Sequence, residues 1–136
     1  MDLPVALAVT AAVLGVAGIL GVVLTRAKGR ARHPHSEVNV GVGSLPGLDS
    51  LAPGATIVQF STEFCASCPG TRRLLTQIVD DGDGLELVEV DLTHRADLAR
   101  DFKILQTPTV FVIDAEGVLR TRFGGGTRRA DVLAAT

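Results

Sequence analysis

The chain has 136 residues, 46% of them hydrophobic and 21% charged, with a formal net charge of −2, two cysteines and no tryptophan. That length holds one modest domain with a real core, provided the apolar content is not spent elsewhere. From Ser36 onward nine Lys and Arg stand against fourteen Asp and Glu, a net of −5, which argues against a nucleic-acid partner.

The first element is an uncharged run of 22 residues, "LPVALAVTAAVLGVAGILGVVL" from Leu3 to Leu24. It has the length a helix needs to cross a bilayer core, and a span over residues 3–24 is the expected contact with the membrane. A secretory signal would open with basic residues and carry a shorter apolar stretch. Here only Met1 and Asp2 precede it. Arg26, Lys28, Arg30 and Arg32 follow with no intervening acid. Such a flank normally stays in the cytoplasm, so the expected arrangement is a single-pass cell-membrane protein with its domain on the cytoplasmic face.

The division read from the sequence is an anchor over 1–25, a basic flank and flexible linker over 26–47, and a folded domain over 48–136. The run "HPHSEVNVGVGSLPGLDS", His33 to Ser50, is rich in Gly, Pro and Ser and has no lasting period, as a tether leading into a loop would. His33 and His35 are expected to be solvated rather than metal-bound.

"TIVQF" (Thr56 to Phe60) reads as a strand buried on both faces. "TRRLLTQIV" places Leu74, Leu75, Ile78 and Val79 on one helical stripe. "DDGDG" is a turn, since the later glycine and the glutamate of a calcium loop are missing. "LELVEVD" alternates as a strand, and "RADLARDF" sets Leu98 and Phe102 four apart on a second helix. "TVFVID", "AEG" and "VLRTRF" form a hairpin, and a short helix "TRRADVLAA" closes the chain. The order β-α-β-α-β-β-α implies an α/β domain, a central mixed sheet flanked by helices.

Both cysteines lie in "FCASC", between the first strand and the first helix of this domain. A disulfide closing so short a loop adds little stability through chain entropy. A structural zinc site needs four ligands, and His94 is the only histidine inside the domain, so no metal is expected short of two chains sharing their cysteines. Reactivity remains. A cysteine at a helix start faces unpaired N–H groups and the positive end of the dipole, which favours thiolate. Cys65 is then the nucleophile, and Cys68, one turn on, resolves the mixed disulfide and releases the partner reduced. Pro69 is tolerated because a first-turn N–H has no intrahelical acceptor.

From about Leu48 to Ala135 the chain resembles the thioredoxin family. The resemblance rests on "FCASC" after a buried strand, "TPT" at Thr107 to Thr109 opening the hairpin, and Gly124 after its second strand. It implies a thioredoxin-like fold and a thiol–disulfide oxidoreductase of the protein-disulfide reductase type. No cofactor is then needed beyond the redox-active Cys65–Cys68 disulfide, and the partners are protein disulfide or dithiol clients, with the electron donor left open. It also implies a cis bond before Pro108, a Thr107 backbone that pairs with an extended client segment, and a Gly124 that keeps the client groove clear. With Phe64, these form the implied substrate-binding set.

Phe64 replaces the family's tryptophan, Ala66-Ser67 its central Gly-Pro, and Arg73 its kinking proline. Gln59 stands where many members carry a buried Asp, and Glu89 where they carry its Lys partner. Proton transfer to the second cysteine therefore falls to water or to the Gln59 and Glu89 positions. Two alternatives stand beside the enzyme: a redox-inactive peptide- or metal-binding module, and an extracytoplasmic relative serving cytochrome or envelope assembly. The latter commonly carries an insertion between the cysteine helix and the Thr-Pro turn, which this chain lacks.

Overall fold

The computed structural model describes residues 3–27, 31–32 and 38–136. Lys28, Arg30, His33 and His35 lie outside the described residues. Helix α1 spans Leu3–Ala27, and none of residues 4–23 is buried against the rest of the protein. Thr10, the one polar side chain within residues 4–23, donates its hydroxyl to the carbonyl of Ala6 at 2.8 Å.

The remaining elements are β1 (Ala31–Arg32), β2 (Ala55–Ser61), α2 (Cys68–Asp81), β3 (Leu85–Asp91), α3 (Ala96–Asp101), β4 (Thr109–Asp114), β5 (Leu119–Gly124) and α4 (Arg129–Leu133). They build a sheet in the order β1-β5-β4-β2-β3. β2 runs parallel to β3 and antiparallel to β4, which turns back into β5. The mixed sheet thus has four full strands, and the two-residue β1, which has no signature in the sequence, extends it by pairing Ala31 with Phe123.

All seven residues of β2 are buried because neighbours flank it on both edges and helices cover both faces. On one face Val58, Phe60, Phe111 and Ile113 pack with Leu98 of α3. Phe60 and Phe111 meet edge to face with ring centroids 4.8 Å apart. On the other face Ile57, Val110, Val112 and Phe123 pack with Leu75 and Ile78 of α2 and Val132 of α4. The helical stripe read from "TRRLLTQIV" is therefore the buried face of α2, Leu75 and Ile78 fully and Leu74 and Val79 in part.

Two boundaries differ from the sequence reading. The flexible linker was expected to run through residue 47, but Val40 and Leu45 are buried in the Phe60 cluster together with Leu48. Asn39 bridges to Val118, and the Val40 N–H donates to the Gly117 carbonyl at 2.7 Å. Sparse apolar residues between glycines carry no periodicity, yet each packs into the cluster around Phe60. The second difference concerns the cysteine helix, which begins at Cys68 rather than at Cys65.

Candidate functional site

The sheet registers bring the three separate sequence features to one edge. Phe60, near the end of β2, pairs with Thr109 at the start of β4, and Thr109 pairs in turn with Gly124 at the end of β5. The loop 62–67 carrying Cys65, the Thr107-Pro108 segment and Gly124 therefore all emerge at the same end of the sheet.

Within that loop, Cys65 N–H donates to the Thr62 carbonyl at 3.1 Å and Cys68 N–H donates to the Cys65 carbonyl at 3.2 Å. Cys65 thus sits in a turn ahead of the helix, and Cys68 is the first helical residue, followed by Pro69 where no N–H is needed. The two sulfurs are joined as a disulfide, with Cα atoms 5.4 Å apart. Their exposure differs sharply: Cys65 is half-buried, while Cys68 is 4% exposed. A client sulfur can approach the first and not the second.

Neighbouring loops hold this turn in place. Glu63 N–H donates to the Thr93 hydroxyl at 3.0 Å, and Thr93 donates both its hydroxyl and its N–H to Asp91. Those two bonds, the hydroxyl's first, hold the Asp91 carboxyl below its ordinary value. The Thr62 and Thr107 hydroxyls lie 3.4 Å apart and tie the cysteine loop to the Pro108 segment.

The bond between Thr107 and Pro108 is cis, and Pro108 is buried. Its carbonyl accepts from Gly125 N–H at 2.8 Å. The chain entering this segment is pinned from β5: the Arg122 guanidinium lies 4.6 Å over the Phe111 ring and donates to the carbonyls of Phe102 and Lys103. These contacts anchor the end of α3, where Lys103 takes a left-handed φ of 52°.

The remaining expected residues divide into two groups. Gln59 is fully buried and touches the pair directly, its Nε2 donating to the Cys68 carbonyl at 3.0 Å. Glu89 lies beside Gln59 in register but is turned elsewhere, accepting from the Ser61 hydroxyl at 3.2 Å and from Arg72 at 3.0 Å. Phe64 stands in solvent, 86% exposed, next to Cys65.

Two residues at this edge escaped the sequence reading. Leu105 is 96% exposed, two positions before Thr107. Gln106 lies across Gly124: a Cβ built on that glycine would meet Gln106 Nε2 at 2.7 Å. Adjacency to "TPT" was the only signal either carried.

A family model described as Thioredoxin matches residues 50–136, well over half of the chain. The chain belongs to the thioredoxin family. Thioredoxin z of chloroplasts is 24% identical over 60% of this chain and 74% of its own, with a TM-score of 0.53. Thioredoxin-2 of a malaria parasite is 21% identical, covering 60% of this chain and 79% of its own, also at 0.53. Mitochondrial thioredoxin 3 from Saccharomyces cerevisiae is 18% identical, covering 59% and 74%, at 0.51. These likenesses establish the fold. No curated protein sequence matches the chain. A thioredoxin domain with its cysteine pair joined across a strand–helix turn is the equipment of a thiol–disulfide oxidoreductase.

Proposed function

We propose that this thioredoxin is a membrane-tethered protein-disulfide reductase. The observation that carries the direction of attack is the unequal exposure of the two cysteines, Cys65 half-buried and Cys68 buried. In the reduced protein the Cys65 thiolate attacks a client disulfide, forming a mixed disulfide and expelling the client's first sulfur as a thiolate. Cys68 then attacks the Cys65 sulfur, breaking the bond to the client. The client leaves with two reduced sulfurs, and the Cys65–Cys68 disulfide takes up the two-electron oxidation. The extended client segment lies along Thr107, Pro108 and Gly124, with Phe64 and Leu105 as its apolar contacts.

Length and composition of α1 support a membrane anchor, and its internally bonded Thr10 suits that setting. The basic flank Arg26, Lys28, Arg30 and Arg32 supports a domain on the cytoplasmic face. Tethering raises the effective concentration of clients at the membrane.

The test uses the full chain in detergent micelles. Cys68→Ser should accumulate a mixed disulfide with a protein disulfide such as insulin, and Cys65→Ser should not. Failure of both to trap a partner, with no reversible dithiol couple in glutathione buffers, would remove the oxidoreductase reading. Labelling of Cys65 by a membrane-impermeant thiol reagent in intact cells would reverse the orientation.

A further inference from the structure

Gln59 is the one wholly buried amide beside the cysteines, and its hydrogen bonding is half complete. Nε2 donates to the Cys68 carbonyl at 3.0 Å, whereas no group among the described residues donates to Oε1, which is shielded from solvent. Val110 and Glu89 flank it in the sheet. Val110 has no polar side chain, and the Glu89 carboxylate is an acceptor already engaged by Ser61 and Arg72. An orphaned buried acceptor costs about 1–3 kcal/mol, so its persistence in the disulfide form calls for a cause.

Cys68 supplies one. As half of a disulfide its sulfur has no hydrogen to donate. Reduction of the pair adds two electrons and two protons, and the buried Cys68, shielded from solvent, takes one of those protons as an S–H group. That thiol is a donor created only in the reduced state, on the residue that the Gln59 amide already holds.

We propose that Gln59 Oε1 accepts the Cys68 thiol hydrogen in the dithiol form, making Gln59 a positioning residue that biases the redox equilibrium toward the dithiol. The amide holds the proton's position without taking it. When Cys68 attacks the mixed disulfide, its sulfur bonds to Cys65, the Cys65–client bond breaks, and the proton leaves for the departing client thiolate or solvent. Gln59 ends that step with Oε1 orphaned again. The inference rests on the oxidoreductase reading and adds to it a reason for a neutral side chain at this position.

The experiment compares the full-length chain in micelles with Gln59→Leu and with the length-preserving Gln59→Met, each equilibrated against glutathione buffers. Removal of the acceptor should shift the equilibrium toward the disulfide by up to about tenfold, equivalent to about 30 mV for a two-electron couple. The melting temperature of the reduced form should fall further than that of the oxidised form. An unchanged potential with equal losses of melting temperature in both forms overturns the proposal, because the Nε2 bond to the carbonyl is common to both. A third measurement uses Cys65→Ser, in which Cys68 is the sole thiol: its S–H stretching band should lie at the lower frequency of a bonded thiol and rise when Gln59→Met is added. A band that does not move also overturns it. Absence of any reversible couple in the unmodified chain would instead defeat the oxidoreductase reading, leaving the S–H band to decide the hydrogen bond by itself.

Discussion

The two ends of the central sheet solve the same problem, a polar side chain held at the close of a buried strand, in opposite ways. At the end remote from the cysteines, Asp114 finishes β4 with Oδ1 accepting the N–H groups of Glu116 and Val118 at 3.1 and 2.8 Å, and Arg120 faces its other oxygen. Gly117 completes that turn at a φ of 85°, where a side chain would be strained. At the cysteine end, Gln59 makes one hydrogen bond of those its amide can form, Cys65 is left accessible, and Phe64 and Leu105 stand in water. Each end keeps one buried oxygen without a hydrogen bond, but Asp114 Oδ2 has the charge of Arg120 against it, whereas Gln59 Oε1 has no partner among the described residues. The ion pair lies at the end away from the cysteines, and the cysteine end keeps exposed or unmatched groups that can change partners.

The sharpest contrast between the ends is in activity. Cys65→Ser should abolish disulfide reduction, measured as insulin precipitation, while its melting temperature stays close to that of the reduced parent chain. Asp114→Ala should do the reverse: a loss of about 1–3 kcal/mol in denaturant unfolding, with the redox potential untouched. Burial raises the Asp114 carboxyl, but the N–H of Val118 and the charge of Arg120 outweigh it and leave it below the ordinary carboxylate value. A depressed folded value means that this contribution is complete above the unfolded value of about 4 and is lost as pH falls through the folded one. Asp114→Asn should therefore flatten the acid limb of the stability curve below about pH 4. A limb of unchanged slope would assign acid sensitivity elsewhere.

A smaller effect is expected over the groove. Gly124→Ala pushes against the far end of a flexible side chain, so Gln106 must swing away, and turnover of a protein disulfide should fall by about threefold, the equivalent of roughly 0.6 kcal/mol. Adding Gln106→Ala should restore it; additive losses in the double variant would show that the glycine meets the client itself. The least change should come from Arg72→Gln. Its ion pair with Glu89 has side chains 54% and 36% exposed, so about 0–1 kcal/mol is at stake, and the potential should not move. A potential that did move would return Glu89 to the proton path.

Much of the domain was legible before any coordinates. "TIVQF" reads as a strand buried on both faces, and the structure buries all five of its residues at the centre of the sheet, while Leu75 and Ile78 announced the face of α2 through their spacing. The cysteine pair and "TPT" carried the site because their chemistry is local. Val40 and Leu45 were illegible as core: isolated apolar residues among glycines have no period, and only the cavity they fill makes them buried. The helix opens three residues later than Cys65 because Pro69 has no N–H to give to the Cys65 carbonyl, which accepts instead from Cys68 N–H, and this places Pro69 in the first turn of a helix that begins at Cys68.

The sequence by itself determined the order of elements, the apolar helix at the N-terminus, and two thiols spaced for exchange, all of them consequences of composition and short-range periodicity. Tertiary structure alone decided that Cys65 is accessible and Cys68 is not, that Glu89 turns to Ser61 and Arg72, and that Gln59 is buried beneath Cys68 with one oxygen unmatched. Exposure and hydrogen-bond pairing depend on which strands lie side by side, and strand registers 30 to 59 residues apart in the chain leave no trace in local spacing.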